Sequence, residues 1–390
     1  MPFVPRVERS SIAGLSLGSR RILLGSLLLT LLLAAPTIYG GPVGGPFSIA
    51  SPPSLAPHGV PSPSGAPVST APFARAPQPA LSLGLGLLGL PGTASTTAMA
   101  FDAKDGYTLL IAPNTSAAAT AASASETYAY VGGDWVRLHP TTAPSSREYA
   151  SMTYDARLGK IVLFGGYSFS GSFLGDTWEF SGGSWTDVSA LSNQTPSARS
   201  AAALAFDPSG GFDLLFGGYG SLGSALFGNL TDTWEFQGGN WSTVSSPAVP
   251  PIEGSMAYDA NLSEMIYYGG VGLLGLCTRS TFAFSGGQWT DISSTITGAP
   301  AGLAMTSMAY DAGQSRLLLF GGACGLGVAG IGLTLATSNA TYALSGGAWT
   351  RLSVAGAPAP RFGVDLAYDA RLGSTILFGG ENATLLVLGS

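Results

Sequence analysis

A unit of about 52 residues recurs along the chain from residue 96 onward. Each unit has an apolar segment ending in an aromatic residue and Asp, and these pairs begin at Phe101, Tyr154, Phe206, Tyr258, Tyr310 and Tyr368. A second segment ends in Gly-Gly in five of the units, as at Gly165-Gly166. A third carries an aromatic residue seven positions before a Trp, as Trp178 precedes Trp185. Such a period is typical of folds whose units bury their faces only against neighbouring units.

Each unit is predicted to form four short antiparallel strands. The Asp after the aromatic residue is placed to accept hydrogen bonds from the backbone of its own turn. Glycine pairs supply the positive φ angles that tight hairpins need and allow neighbouring backbones to approach. One four-stranded sheet cannot bury both of its faces, so sheets of this period are expected to pack radially, as in a propeller.

These motifs resemble those of the kelch family of β-propellers. The resemblance rests on the Gly-Gly doublets, on the spacing of the aromatic residue and the Trp, and on a Pro and Arg before the first strand, at Arg147, Arg199 and Arg361. It covers about residues 96–388 and implies an all-β fold, a kelch-type β-propeller of six blades with four antiparallel strands each. Seven blades are the alternative for a longer parent protein. A resemblance in fold does not assign a function.

The last unit is incomplete. Residues 382–388 align with residues 339–344, and no second Gly-Gly or Trp follows them. We expect the segment 81–88, with its alternating leucines, to supply a missing strand from the N-terminal side, so that the propeller domain spans 81–390. The alternative is a truncated copy of the repeat.

The first 80 residues differ in composition from the repeats. Residues 1–40 contain four arginines followed by an uncharged apolar run, 22–39, which predicts a hydrophobic helix acting as a membrane anchor or a signal segment. The basic flank predicts that the remainder lies outside the cytoplasm. The Pro-rich residues 41–80 are expected to form a disordered stalk. We therefore predict a cell-surface protein with one N-terminal span, or alternatively a protein secreted after cleavage.

Every asparagine in the chain lies in an Asn-x-Ser/Thr sequon. This pattern predicts a glycoprotein exported from the cytoplasm, although Ser- and Thr-rich loops also form sequons by chance. Asn240 is left out of the predicted glycosylation sites because it lies in a predicted strand directly before Trp241. The predicted glycosylation sites are Asn114, Asn193, Asn229, Asn261, Asn339 and Asn382.

Charge and composition exclude several classes of function. The net charge is −6, and the first 40 residues hold four of the 16 basic residues, so no basic surface for nucleic acid is expected. The chain has only two histidines, His58 and His139, and no Cys-x-x-Cys. No metal site and no cofactor are predicted. A kelch-like copper radical oxidase would need several histidine ligands, and the repeats contain only His139.

Strand alternation places two kinds of connection on one face of the predicted propeller. They are the long loops after each Gly-Gly doublet and the links from each Trp strand to the next unit. Variable loops on a rigid scaffold are where binding usually occurs, and unconstrained drift is the alternative reading. Cys277 and Cys324 lie in equivalent loops of adjacent units on this face. In an oxidising compartment they are expected to form a disulfide; the alternative is two free thiols.

Six charged residues are expected near the mouth of the channel on the same face. One interpretation is a polar pocket for an anionic or sugar ligand. The other is that each Arg holds backbone carbonyls or a neighbouring acid and fixes the junction between units. The six candidate binding residues are Arg147, Glu148, Arg199, Glu253, Arg361 and Asp365.

No catalytic motif stands out in the sequence. A nucleophile elbow in a strand-to-helix context, a phosphate-binding loop and a sialidase-type Asp box are all absent from it. The leading hypothesis is a membrane-tethered, non-catalytic scaffold that binds a protein or a glycan through its variable loops. The alternative is a secreted carbohydrate-active enzyme with a carboxylate site near the propeller axis. A purely structural envelope protein is a third possibility.

Overall fold

The computed structural model describes residues 47–48, 97–114, 123–221, 227–272, 276–324, 336–354 and 356–381. Within these residues the protein is built from antiparallel β-strands, and the only helical element described is a single 3-10 turn at Ser189–Leu191. No helix among the described residues is long and apolar enough to span a membrane. The predicted anchor at 22–39 and most of the predicted stalk lie outside these ranges.

Five antiparallel sheets, each with four main strands, follow one another along the chain. In each, these strands are ordered as in the sequence, so that every sheet is a simple meander. The first sheet consists of β2 (Ala98–Asp102), β3 (Tyr107–Ala112), β4 (Glu126–Val131) and β5 (Asp134–Leu138), and the second of β7 (Ser151–Asp155), β8 (Lys160–Ser168), β9 (Phe173–Ser181) and β10 (Ser184–Asp187). The third consists of β12 (Ala203–Asp207), β13 (Phe212–Phe216), β16 (Thr233–Gln237) and β17 (Asn240–Val244), and the fourth of β18 (Ser255–Asp259), β19 (Glu264–Tyr268), β20 (Thr281–Ser285) and β21 (Gln288–Asp291). The fifth consists of β22 (Ser307–Asp311), β23 (Arg316–Phe320), β26 (Thr341–Ser345) and β27 (Ala348–Leu352).

A sixth sheet contains β28 (Phe362–Asp369) and β29 (Ser374–Glu381). Its third strand is the two-residue β1 (Phe47–Ser48), which pairs with Leu377 and Ile376. The third strand described therefore comes from residues that precede the segment 81–88, which lies outside the described part of the chain.

Short strands lie at the ends of several sheets, where the chain connects one sheet to the next. They pair with one another or with the end of a longer strand. They are β6 (Arg147–Glu148), β11 (Arg199–Ser200), β14 (Tyr219–Ser221), β15 (Phe227–Asn229), β24 (Ala323–Cys324) and β25 (Ala336–Thr337). β6 pairs with the end of β8, and β11 pairs with β14. These pairings hold the links between sheets against the ends of the second strands.

The sheets are arranged in a β-propeller-like manner. The first strand of each sheet contacts the first strands of the sheets on either side, and β28 contacts β2. The second strands are almost fully buried; Leu109, Ile161, Leu214 and Leu317, for example, have no exposed surface. Burial of apolar surface between facing sheets is the main force that holds such an arrangement together.

Tryptophans of the fourth strands tie adjacent sheets together. Trp185 donates from its indole nitrogen to the hydroxyl of Thr127 in the preceding sheet, over 3.0 Å. The same bond joins Trp241 to Thr177 and Trp289 to Thr233, at 2.9 Å in both cases. A buried indole N–H usually finds an acceptor, and here the acceptor lies across the seam between two sheets.

The predicted turn chemistry is present at the ends of the first strands. Asp155 Oδ1 accepts hydrogen bonds from the backbone nitrogens of Arg157 and Leu158, at 2.7 and 2.8 Å. Asp102 caps its turn in the same way. The Gly-Gly doublets adopt positive φ, and at Gly269 an added Cβ would lie 2.3 Å from a backbone oxygen of Leu303. The doublets are therefore required by both backbone conformation and close approach.

One buried acid breaks the pattern of the seams. Asp213 lies in β13 with no exposed surface, and neither of its carboxyl oxygens has a hydrogen-bond partner among the described residues. In the first sheet the equivalent residue is Thr108, which donates to Asp369 of the sixth sheet. Burial, reinforced by the charges of Asp155 and Glu179, raises the pKa of Asp213 well above its usual range. The carboxyl is therefore protonated at pH values where an ordinary carboxyl is ionised.

Asp213→Asn is expected to stabilise the protein at pH 7–8 by about 1–3 kcal/mol, because the amide is neutral at every pH and is buried without the proton uptake that the carboxyl needs above its ordinary pKa. Because the folded pKa is raised, stability from Asp213 is present below the ordinary carboxyl pKa of about 4 and is lost as the pH rises through the folded value. Urea unfolding of both proteins between pH 4 and 8 measures this. The control is Asp134→Asn at the exposed start of β5. Parallel pH curves for the wild-type protein and the Asp213→Asn variant would contradict the expectation.

Candidate functional site

Two faces of the ring differ in their connections. The loop face carries the connections between second and third strands and the links from each sheet to the next. The turn face carries the short turns between first and second strands and between third and fourth strands. Five of the six candidate binding residues lie in the links before the first strands. Asp365 lies within β28, at the position where the first strands of the other sheets begin. All six therefore belong to the loop-face end of their sheets.

Arg147 and Arg199 are structural junctions with almost identical geometry. The Arg199 guanidinium donates from Nε to Ser197 O, from Nη1 to Gly217 O and from both terminal nitrogens to Asp232, at 2.7 and 2.8 Å. Arg147 binds Gly165 O and Asp176 in the same way. Both arginines are nearly inaccessible to solvent. They are therefore held within the scaffold and are closed to a ligand.

The acids that bind these arginines also accept from tryptophans. Asp176 Oδ2 accepts from Trp178 Nε1, and Asp232 Oδ2 accepts from Trp234 Nε1, at 2.6 Å in both cases. Burial opposes ionisation, yet the Arg199 and Trp234 hydrogen bonds lower the pKa of Asp232 below its ordinary value. Sequence analysis did not select these two acids, although the recurring triplet Asp-Thr-Trp was a signal for them.

Arg361 makes the same two kinds of backbone contact as Arg147 and Arg199, but it has no counterpart of Asp176 or Asp232 among the described residues. Its Nε donates to Ala359 O over 3.1 Å, and its Nη1 donates to Gly379 O over 2.8 Å. No ion pair to Arg361 occurs among the described residues. Burial lowers the pKa of Arg361, which is nonetheless partly exposed. One edge of its guanidinium is therefore available at the loop face.

Glu148 is the most deeply buried of the candidate acids. It is 3% exposed, and its Oε1 has no hydrogen-bond partner in the part of the chain that the structure describes. Burial, with a smaller contribution from the charge of Glu381, raises its pKa to about 7. An acid with a pKa near neutrality exchanges protons readily at physiological pH. The electrostatic neighbour of Glu148 is thus Glu381, which sequence analysis did not select.

Glu253 and Asp365 lie in different surroundings. Burial raises the pKa of each carboxyl to about 7, although both residues as a whole are partly exposed. Asp365 accepts from the hydroxyl of Thr97, across the seam between the sixth and first sheets. Ser255 and Thr306 are hydrogen-bonded at the corresponding place in another seam. Among the described residues, burial is the cause that raises the pKa of Glu253 and of Asp365, and the Thr97 hydrogen bond opposes it at Asp365.

A ring of left-handed residues surrounds the loop-face end of the first strands. Five of the six positions that lie five residues before an aromatic-Asp pair are described, and all five have positive φ: Tyr149, Ala201, Glu253, Met305 and Gly363. They are linked from sheet to sheet by backbone hydrogen bonds, from Ala201 N to Tyr149 O, from Met305 N to Glu253 O and from Gly363 N to Met305 O, at 2.8–3.0 Å. Backbone strain of this kind persists where the surroundings fix it. No common residue type marked these positions in the sequence.

A disulfide joins two loops of the loop face. Cys277 and Cys324 are bonded, with their Cα atoms 6.0 Å apart. The bond links the fourth sheet to the fifth. Next to Cys277, Leu276 is 60% exposed. In the second sheet, Phe169 in the connection between β8 and β9 is 44% exposed. The described part of the loop face therefore presents apolar side chains, one of them, Leu276, on a connection that is covalently tied.

The sequons are spread over the surface. Asn193, Asn229, Asn261 and Asn339 are exposed, Asn114 is partly exposed, and Asn382 lies outside the described residues. Asn261 Nδ2 donates to Ser315 O over 2.7 Å. Among the described residues, no group of three or more His, Cys, Asp or Glu side chains is placed to hold a metal ion.

The fold and this face define a class of protein: an antiparallel, propeller-like β-protein whose links are braced by buried Arg–Asp pairs. The chain matches no protein-family model and no curated protein.

Proposed function

We propose that this chain is a kelch-type β-propeller of six blades that acts as a non-catalytic binding scaffold for a protein or a glycan. In this proposal the propeller lies outside the cytoplasm, tethered by the apolar segment 22–39 and the Pro-rich residues 41–80. Release by cleavage after that segment is the alternative. Binding takes place through the loop face, and the glycosylated positions are the six predicted sequons.

The six-blade assignment is supported by the cyclic contacts of the first strands. β2, β7, β12, β18, β22 and β28 each contact two others, in chain order, and the last contacts the first. The kelch assignment is supported by the positive φ of the Gly-Gly doublets and by the Trp strands that pack across the seams. The disulfide supports an oxidising compartment, where such bonds persist.

Binding through the loop face is supported by one observation: an apolar side chain, Leu276, is 60% exposed on a connection that a disulfide fixes in place. Leu276 lies beside Cys277, in a loop otherwise anchored by hydrogen bonds to Gly270 and Gly272. Ordering a loop before binding lowers the entropy cost of association. The buried arginines and Asp365, by contrast, already have partners within the scaffold.

Phe169→Glu and Leu276→Glu are expected to weaken ligand binding at least about tenfold each, because a charge replaces apolar contact area at the centre of an interface. The measurement is a screen of the glycosylated protein against glycan and cell-surface protein arrays, followed by titration of the best ligand. The controls are Leu262→Glu and Leu372→Glu, which alter residues of similar exposure on the turn face. Equal losses for both pairs of variants would contradict binding through the loop face.

A second candidate function is a carbohydrate-active enzyme. It is favoured by Glu148, which is buried, lacks a partner at Oε1 and has a pKa of about 7, as a general acid requires. In that case Glu381 is the second carboxylate of the pair. Release of reducing sugar from polysaccharides, abolished by Glu148→Gln and retained by Asp365→Asn, would establish the enzyme. Glycan binding without sugar release would establish the scaffold.

A further inference from the structure

A cleft lies beside the outer strands of the fourth sheet, between the connection from β19 to β20 and the link from β21 to β22. Its volume is about 280 Å³, and its walls are Arg279, Ser280, Ser293, Ile296, Gly298 and Ala299. These two stretches of chain are of the kinds that form the loop face. Pockets for drug-sized ligands hold about 300–1,000 Å³, so this cleft has room for one small group, of the size of a single sugar residue.

Both walls of the cleft are held in place by bonds within the scaffold. In the connection from β19 to β20, Cys277 carries the disulfide to the fifth sheet. In the link on the opposite side, Thr297 N donates to Gly347 O over 3.1 Å, and Thr297 O accepts from Trp349 N over 2.9 Å. Both bonds fasten the link to the fifth sheet. A cleft that is ordered before binding loses less entropy when a ligand enters.

The fourth sheet lacks an acid that the first three sheets have at this position. Ser280 directly precedes the threonine that pairs with the end of the second strand, and the register makes it the equivalent of Glu126, Asp176 and Asp232. Each of those carboxylates binds an arginine of the scaffold, at 2.7 to 2.9 Å. In the fourth sheet a neutral hydroxyl group therefore takes the place of an internal carboxylate.

Arg279 brings a positive charge to the same place. The equivalent residues of the other four-stranded sheets are uncharged, and are Ser125, Gly175, Thr231 and Asn339. Arg279 Nη2 donates to Ala299 O over 3.1 Å, and no ion pair to this arginine occurs among the described residues. Burial raises the pKa of the nearby Tyr268 hydroxyl, and the charge of Arg279 opposes that rise. Because Arg279 is exposed, its remaining N–H groups are available to an anion in the cleft.

A second charged group lies at the rim of the cleft. Asp291 Oδ1 accepts from the backbone nitrogen of Ser293 over 2.9 Å and also from the Ser293 hydroxyl. Asp291 is exposed, so its carboxylate is available to accept from hydroxyl groups of a ligand. Together Arg279 and Asp291 give the site a net charge near zero. This balance disfavours a phosphate dianion and suits a ligand that has one carboxylate and several hydroxyl groups.

We propose that this cleft binds a sugar residue that carries a carboxylate, of the hexuronate type. The carboxylate pairs with the Arg279 guanidinium, hydroxyl groups bond to Ser280 and Asp291, and the carbon face of the ring packs on Ile296. Charge-assisted hydrogen bonds are about twice as strong as neutral ones, so the carboxylate supplies much of the affinity. The proposal rests on the proposed function only in requiring an open loop face, and it names the class of ligand for one site there.

The ligand side of the test uses methyl β-D-glucuronide, titrated into the full-length protein and followed by calorimetry and by ligand-observed NMR. We expect a Kd on the order of 1 mM, the range for a ligand that fills one small cleft. Methyl β-D-glucoside lacks the carboxylate and acetate lacks the sugar, and each should bind at least about tenfold more weakly. Equal binding by either control, tighter binding of inorganic phosphate, or no binding of the glucuronide overturns the proposal.

On the protein side, Arg279→Gln should weaken glucuronide binding about tenfold, because it removes the charge-assisted bonds. The matched control is Arg157→Gln. Arg157 lies on the turn face and also donates to one backbone carbonyl, that of Gly211, over 3.1 Å. This control should bind the glucuronide as the wild-type protein does. Equal affinities of the two variants would place the ligand outside the cleft and overturn the proposal.

A pair of substitutions at Ser280 tests the site while keeping the arginine. Ser280→Asp restores the acid found at the equivalent positions, and its carboxylate should repel the ligand and compete for Arg279, lowering the affinity at least about tenfold. Ser280→Asn has nearly the same shape without the charge and should bind the glucuronide nearly as well as the wild-type protein does. Tm measurements confirm that both variants fold. Equal affinities of the Asp and Asn variants would contradict a carboxylate site beside this residue.

The outcome is distinguishable from that of the scaffold proposal. If a ligand from the arrays depends on Phe169 and Leu276 while the glucuronide does not bind, the cleft proposal fails and the scaffold proposal stands. If the glucuronide binds through Arg279 and the arrays yield no ligand, the cleft proposal stands and the scaffold proposal fails.

Discussion

Replacing Arg199 with alanine is expected to lower the free energy of unfolding by about 3 kcal/mol. The side chain has no exposed surface, and its guanidinium holds two backbone carbonyls and both oxygens of Asp232. Removing one member of a buried ion pair costs about 3–5 kcal/mol, because the other is left without its counter-charge. The lower end applies here, since the Asp232 side chain is 42% exposed and is partly hydrated. Urea unfolding at pH 7 measures the change.

Arg361→Ala is the matched control for this prediction. Arg361 makes the same two kinds of backbone contact, is partly exposed and has no acid. Its loss should therefore cost only about 1 kcal/mol, the net value of ordinary hydrogen bonds. The difference between the two variants isolates the contribution of the carboxylate. Equal losses at both positions would show that the backbone contacts account for the whole effect and that Asp232 adds nothing.

The pH dependence provides a second check on the same pair. The Arg199 and Trp234 hydrogen bonds outweigh burial and hold the pKa of Asp232 below its ordinary value. Stability from this acid is therefore present above the unfolded carboxyl pKa of about 4 and is lost as the pH falls through the folded value. The deficit of Arg199→Ala relative to wild type should shrink between pH 5 and pH 2. A deficit independent of pH would contradict an ionic contribution.

The repeat motifs predicted the sheets because each motif has a local cause. The aromatic-Asp pair ends a first strand since the Asp caps the next turn, and the Gly-Gly doublet ends a second strand since only glycine tolerates that approach to the link. Of the two interpretations offered for the arginines, the structural one describes Arg147 and Arg199. The position of each arginine within the repeat was visible in the sequence. Which acid pairs with it was not, because the pairing depends on where the variable loop places the start of the third strand.

The repeat motifs did not predict which side chains contact each other between adjacent sheets. The bond from Trp241 to Thr177 joins residues 64 positions apart, and neither residue type is diagnostic alone. The ring of positive φ values includes Tyr149, Glu253 and Met305, which share no chemistry, because the conformation is imposed by the backbone of the adjacent sheet. Asp213 occupies a strand position that reads as ordinary polar alternation, and only its neighbours make it buried and unpartnered.

Removal of the disulfide by the double substitution Cys277→Ala and Cys324→Ala is expected to lower the free energy of unfolding by about 4 kcal/mol. The bond closes a loop with a sequence separation of 47 residues, and cross-links of this span restrict the unfolded chain by about that amount. The folded state should change little, because β18, β19 and β20 and their counterparts β22, β23 and β26 pack through their own buried side chains. Calorimetric Tm and urea unfolding under non-reducing conditions measure the loss.

A reducing agent distinguishes the cross-link from the side chains themselves. Reduction should lower the Tm of the wild-type protein to that of the double variant and should leave the variant unchanged. The fourth and fifth sheets also share backbone hydrogen bonds, such as Gly270 N to Leu303 O at 2.8 Å, which survive reduction and keep the seam closed. If the reduced protein retained the Tm of the oxidised protein, the disulfide would contribute nothing to stability beyond these contacts. The disulfide would then act only on the order of the two loops at the loop face, where it would be detected as a loss of ligand affinity without a loss of stability.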